Sequence, residues 1–442
     1  MFYLRWGSVF LLVLVSGCAS YGVVKNLPLG ATPAAKSYSL KAWGQDARLN
    51  DIQMLLAFSG GGTRAAAFSY GVLKALRDIE LPAKGRSVRL LHEVDSITSV
   101  SGGSFTAAYY GLHGERIFDD FETVFLRRDV ESALKAALFN PFNWFRSTGR
   151  TERAIEVYEE NVFQGATFAD MVQDGRPLIV INASDLAHGV RFSFVQEYFN
   201  LLCSDLATFP IARAVAASSA VPVIFQPVVV ENYPGCESAQ REPLKAMRQR
   251  AGDDERQLYL VDGLATYLDK DKRRYAHFVD GGITDNLGLL AAFDIIEAAG
   301  GPEAYLAKLR RKSPRRSVVI VVNASTNPEP VMDATTRQPS LIETVNAMSD
   351  IQLHRYNVET IELTKQSLAN YAKALSTPDR PVEYYFIQLS FRDVAPERRR
   401  FFNLIPTSFA LSDEQVDQLI AAGGELLRSN AEFRRLLADI AK

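Results

Sequence analysis

Val94-Asp95-Ser96-Ile97-Thr98-Ser99-Val100-Ser101-Gly102-Gly103-Ser104-Phe105-Thr106-Ala107-Ala108-Tyr109-Tyr110 decides how this chain is read. Val94, Ile97 and Thr98 are β-branched, so residues 94–99 read as a short strand, and the small residues of 102–110 read as a helix. The turn between them, Ser99-Val100-Ser101-Gly102-Gly103, has the form of a nucleophile elbow. There a strained strand-to-helix turn holds a serine with its hydroxyl exposed at the end of a sheet. The usual elbow is Gly-x-Ser-x-Gly, and Ser99 stands where its first glycine belongs. Ser101 is the centred serine, with Ser99 on the strand side and Ser104 on the helix.

The same strand–turn–helix grammar recurs upstream. Residues 54–58 form an apolar run that stops at Gly60-Gly61-Gly62-Thr63-Arg64. Residues 63–78 then read as a helix with Phe68, Val72, Leu73 and Leu76 on one face. Successive glycines at a helix N-terminus let backbone N–H groups converge on an anion, either a phosphate or a developing oxyanion. The spacing lacks the Lys-Ser/Thr pair of a phosphate-binding P-loop.

Downstream, Val279-Asp280-Gly281-Gly282 ends an apolar strand with a carboxylate at the sheet edge. Asp262-Gly263 gives the same local signal, and turn chemistry alone does not separate the two. Further strands are expected over 178–183, 223–230, 277–279, 318–322 and 384–389, with helices over 342–375, after Ser412, and over 431–441 with Asn430 as its cap. β-branched runs alternating with helices specify an α/β chain. Its expected form is a mostly parallel sheet covered on both faces, three layers in α/β/α order, with a helical C-terminal extension. Residues 51–330 form the catalytic domain and 331–442 an extension packed on it. The charge-rich stretch 234–274 reads as a solvated loop or a lid. The aromatic stretch 138–145 reads as core packing or a lipid-touching segment.

At the start, Arg5 and the apolar run 9–15 are too short to span a bilayer and have the form of a signal peptide over 1–17. The run ends in Val15-Ser16-Gly17-Cys18, which resembles a bacterial lipobox; Cys18 is then the lipidated residue and 18–50 a tether. With Ala19 after the cysteine, that resemblance implies a cell-envelope protein at the outer membrane. The other two of three cysteines, Cys203 and Cys236, either pair in an oxidising compartment or stay buried thiols. A net charge of -2 argues against a general nucleic-acid binder. The basic runs 310–312, 315–316 and 398–400 are either solvated or face anionic lipid.

Taken together, the glycine loop with Arg64, the elbow at Ser101, the Asp280-Gly281-Gly282 turn and the block Arg213-Ala214-Val215-Ala216-Ala217-Ser218-Ser219-Ala220-Val221-Pro222 resemble the patatin-like phospholipase family. The resemblance runs over about 54–290, and more loosely to 405–409. It implies a Ser101–Asp280 dyad without histidine, and an oxyanion site from Gly60, Gly61, Gly62 and Gly102. It also implies that Arg64 positions the phosphate or the glycine loop, unless it serves in a salt bridge. The expected substrate is a membrane phospholipid or its lyso form, cut at an acyl ester with no cofactor or metal. Two other readings stay open. One is a non-catalytic lipoprotein that holds lipid or a partner on the same fold; the other is a protease or small-ester esterase. A triad would need one of the five histidines, and His277, on the strand that leads to Asp280, is read as structural.

Overall fold

The computed structural model describes residues 22–30, 37–40, 51–83, 86–130, 132, 149–222, 224–328 and 331–442. Cys18, the signal-like segment and the aromatic stretch 138–145 lie outside them. One eight-stranded sheet organises the chain. Its strands are β1 (Ile52–Phe58), β2 (Val94–Val100), β3 (Leu178–Asp185), β4 (Arg191–Ser193), β5 (Val228–Glu231), β6 (Tyr275–Asp280), β7 (Arg316–Asn323) and β8 (Glu383–Ser390). Across the sheet they run β8-β7-β1-β2-β3-β6-β5, with the short β4 paired to β3. The pairs from β8 to β3 are parallel, and β6 is antiparallel to both β3 and β5.

The helices used below are α1 (Gly62–Arg77), α2 (Gly102–His113), α3 (Ile211–Ser218), α4 (Glu237–Ala251), α5 (Glu255–Ala265), α6 (Leu289–Ala299), α7 (Leu341–Leu375), α8 (Pro396–Leu404), α9 (Asp413–Ser429) and α10 (Ala431–Ile440). Side-chain alternation on the strands sorts them into layers. Met54, Leu56 and Phe58 of β1, with Val318, Ile320 and Val322 of β7, pack into the large core that includes α1, α2 and α9. Leu55, Ala57, Val319 and Val321 face the other way, onto Leu289 and Phe293 of α6 and Ile361 and Leu368 of α7. A central sheet with apolar side chains on both faces requires helices on both, which is the three-layer arrangement the sequence led us to expect. The C-terminal extension is part of that body, since β8 is a strand of the same sheet and α9 packs along α1.

Three segments differ from their sequence reading. Residues 234–274 hold two helices, α4 and α5, rather than a loop; α4 is largely exposed, while α5 buries Leu260, Val261 and Leu264 in the core. Among the described residues of 223–230 the strand begins at Val228 and runs on to Glu231, past an upstream turn where the Asp280 N–H bonds the Ala220 carbonyl. Parts of the expected tether are built into the body. Asn26 satisfies the edge of β5, its Oδ1 accepting from the Glu231 N–H at 2.9 Å, and Tyr38 is fully buried with its hydroxyl on Ile179.

A disulfide joins Cys203 to Cys236 across 33 residues and ties the start of α4 to the body. Closing a loop of that length restricts the unfolded chain, so the bond is expected to contribute on the order of 2–4 kcal/mol. Urea unfolding with and without reductant checks this; coincident midpoints would refute it.

Candidate active site

β1 and β2 run parallel, so the turns that follow them meet at one edge of the sheet. Ser101 sits in that second turn at φ 50, ψ -123, a region L residues avoid and which costs about 1–3 kcal/mol. Surrounding bonds impose it. The Ser101 N–H donates to Ser218 Oγ at 2.9 Å, and Ser218 donates in turn to the Asn182 carbonyl at 2.6 Å. Ser99, in place of the usual glycine, is fully buried with its hydroxyl toward the Val180 carbonyl and Ser104; its Cβ therefore points into the sheet and not at the turn.

β6 delivers the carboxylate. Ser101 Oγ donates to Asp280 Oδ2 at 2.8 Å, while Asp280 Oδ1 accepts the Gly282 N–H at 2.7 Å. Both residues are nearly closed off, at 6% and 8% exposure. Burial pushes the Asp280 carboxyl up to about 6, against the lowering effect of the Gly282 N–H and the Ser101 hydroxyl. A carboxylate with that basicity, in contact with a hydroxyl, is placed to take its proton.

The glycine loop lies against the elbow. A Cβ on Gly102 would overlap the Gly62 carbonyl oxygen, and one on Gly60 would come to 3.3 Å from Ser101 Cβ. Gly60 is not an oxyanion donor as expected, because its N–H is already bonded to the Asn286 carbonyl at 3.0 Å. Gly61, Gly62 and Gly102 remain; among the described residues their N–H groups have no acceptor, and the last two begin α1 and α2.

Arg64 was expected to position the phosphate or the glycine loop, unless it served in a salt bridge. It is 4% exposed, and its guanidinium reaches the Ala324 carbonyl at 2.9 Å, the Ile405 carbonyl at 2.5 Å and Thr407 Oγ1 at 3.0 Å. Burial lowers its pKa to about 10. These bonds occupy its guanidinium, and it forms no salt bridge among the described residues. It braces the glycine loop against the C-terminal extension.

All five histidines lie among the described residues, and none bonds Ser101 or Asp280. His277 faces outward from β6, in an alternation that buries Phe278. Asp262, the other Asp-Gly, lies exposed in the middle of α5, in an ion pair with Arg248. At least one residue of each basic run has an internal partner: Arg311 with Asp95, Arg316 with Asp439, Arg398 with Glu425. Among the described residues no group of His, Cys, Asp or Glu is placed to hold a metal ion.

Two residues had no role on sequence grounds. Ser218 fixes the elbow, and its only signal was membership of the small-residue block. Asn286 follows the Asp280 turn; its backbone carbonyl takes the Gly60 N–H, and its side chain reaches Ser325 Oγ at 3.4 Å.

Among solved structures the chain is similar to human GIVD cytosolic phospholipase A2, with 13% identity and a TM-score of 0.48, covering 91% of this chain and 64% of that one. The chain thus spans less than two thirds of that structure's chain. The same human protein in complex with methyl gamma-linolenyl fluorophosphonate is similar at 12% identity and a TM-score of 0.43, over 95% of this chain and 69% of that one. No curated protein matches the chain in sequence. The patatin-like phospholipase family model matches residues 56–293, from β1 through the elbow and the Asp280 turn into α6. That match takes in more than half of the 442 residues, and the chain belongs to the patatin-like phospholipase family.

Proposed function

We propose that this protein is a lipid acyl hydrolase of phospholipase A or lysophospholipase type, working through an acyl-Ser101 intermediate. The observation that carries the reading is the 2.8 Å bond from Ser101 Oγ to a buried carboxylate whose other oxygen is already held. Asp280 takes the Ser101 proton as Oγ attacks the ester carbonyl. The N–H groups of Gly61, Gly62 and Gly102 hold the oxyanion. Asp280 returns the proton to the leaving alcohol, and then activates the water that releases the fatty acid. The test is a panel of diacyl and lyso phospholipids beside short-chain esters, with purified protein and Ser101→Ala. Release of fatty acid from the lipids, absent in the variant, is expected. Turnover of short esters alone would make this an esterase, and no covalent labelling of Ser101 by a fluorophosphonate would make it a binding protein.

The mechanism fixes a pH profile. Only ionised Asp280 can act as base, so kcat/KM rises about tenfold per pH unit up to roughly pH 6 and levels off above it. A profile flat from pH 4.5 to 8 would sink the assignment of the base.

Anchoring through acylated Cys18 at the outer membrane is part of the same proposal. It rests on Val15-Ser16-Gly17-Cys18 after the apolar run 9–15. A clickable fatty acid is expected to label the wild type and not Cys18→Ser; equal label on both would refute the anchor.

A further inference from the structure

β7 and β8 end on the same side as β1 and β2, and beyond their carboxyl ends lies a cavity of about 190 Å³. In an open α/β sheet this is the edge at which ligands bind. The cavity is smaller than the roughly 300–1,000 Å³ of a site for a drug-sized molecule, so it suits a compact polar group and not an acyl chain. Arg392 and Arg399 line it together with amide side chains, and among the described residues no carboxylate does. Neither arginine is ion-paired among those residues. Asp393, next along the chain, is the acid in their field, and burial raises its pKa.

Two polar groups in the wall are left unfinished. Asn357, 4% exposed, donates from Nδ2 to Ser325 Oγ at 3.1 Å, and its buried Oδ1 has no partner. Ser325 Oγ also receives the Asn286 amide at 3.4 Å. Both lone pairs of that hydroxyl are then occupied, and its own hydrogen is left to donate. The Ser325 hydrogen is therefore free for a guest that accepts. Two guanidinium groups, one spare hydroxyl donor and the amide side chains of the lining match an anion that carries hydroxyls.

Asn286 joins this cavity to the Ser101 site, because its backbone carbonyl holds the glycine loop while its side-chain amide bonds Ser325, which lines the cavity. From β2 to β7 is two strand spacings, roughly 10 Å. At about 1.2 Å of advance per extended bond, that span carries a lipid from its scissile carbonyl across glycerol and past the phosphate. We propose that the cavity is a subsite for anionic, hydroxyl-bearing headgroups, such as that of phosphatidylglycerol. This rests on the lipid acyl hydrolase reading above.

The test uses the full chain and short-chain lipids below their micelle concentration, so that surface attraction to vesicles does not enter. The wild type is expected to favour dihexanoyl phosphatidylglycerol over dihexanoyl phosphatidylcholine. Arg392→Gln should lower kcat/KM on the glycerol lipid roughly 10- to 100-fold, mostly through KM, the loss of a charged hydrogen bond. Asn357→Ala should act in the same direction. Hydrolysis of p-nitrophenyl butyrate, which has no headgroup, serves as the control for folding. Equal losses on all three substrates would assign Arg392 a structural role and overturn the subsite, as would equal wild-type rates on the two lipids. Should the wild type cut neither lipid, the hydrolase reading falls by itself, and the cavity is read with glycerol 3-phosphate. A thermal shift in the wild type that Arg392→Gln removes supports the subsite; no shift overturns it.

Discussion

Ser101→Ala and Asp280→Asn are each expected to lower kcat by about 10⁴- to 10⁶-fold, and the double variant by no more than the worse of the two. Nucleophile and base act as one unit, so removing either leaves only binding and oxyanion stabilisation, and their losses do not add. The two variants should part company in stability. The folded Asp280 carboxyl has a pKa of about 6 against 3.8 for the free group. Between those values the folded chain binds more protons than the unfolded one, so stability falls as pH rises through the window. Above it the full cost of a buried carboxylate is present, on the order of 3 kcal/mol for a shift of about two units. An amide at this position carries no such cost. Asp280→Asn should therefore be inactive and yet unfold later than wild type at pH 8, with the gap closing toward pH 4. His277→Ala and Asp262→Asn should stay within a few-fold of wild-type activity. An active Asp280→Asn beside an inactive His277→Ala would replace the dyad with a histidine mechanism.

How far the sequence could be read depended on the range of the interactions involved. The strands at β1, β2, β7 and β8 were visible because short apolar runs carry their own signal. α9 was visible because Ser412 and Gln415 form a capping box within one turn. Turn chemistry is local too, but it left Asp280 level with Asp262, and only the family resemblance chose between them; the elbow itself was legible. Arg64 was not. Its three partners lie 260, 341 and 343 residues away, and nothing near it in sequence distinguishes a cation meant for a phosphate from one meant for backbone carbonyls. Gly60 shows the same limit: its glycine was legible, but the Asn286 carbonyl that occupies its N–H was not. The largely exposed helix α4 escaped because a helix polar on most sides leaves no period to find, and in α5 the apolar run 258–261 reads like a strand that leads into Asp262-Gly263. Asp262 looked like a turn residue only because Asp-Gly favours turns, and an exposed helix with an ion pair to Arg248 overrode that preference.

Gly102→Ala is expected to cost about 100- to 1000-fold in kcat while leaving the pH midpoint near 6. The added methyl would overlap the peptide of Gly62, the same unit that offers an oxyanion donor. That peptide has nowhere to retreat. Behind it, a Cβ on Gly62 would itself come to 2.5 Å from the Ser408 carbonyl oxygen, and Thr63 donates to that same oxygen at 2.9 Å. Arg64 locks the segment in place through Ile405 and Thr407. The elbow is no freer, pinned by Ser218 through the Ser101 N–H. Relief must come from moving the glycine loop and the elbow apart. A displacement of about 1 Å between a nucleophile and its oxyanion donors is enough to cost about 100-fold. Overpacking of this kind also costs about 1–3 kcal/mol of stability. The three atoms nearest the added methyl all belong to Gly62 and none to Asp280, so the base keeps its partner and the pH profile its midpoint. Stopped-flow fluorophosphonate labelling across pH, with thermal unfolding alongside, separates the two effects. A slowed plateau with an unmoved midpoint is expected. A wild-type labelling rate with a lowered melting temperature would mean that the glycine loop packs against the elbow without serving the oxyanion.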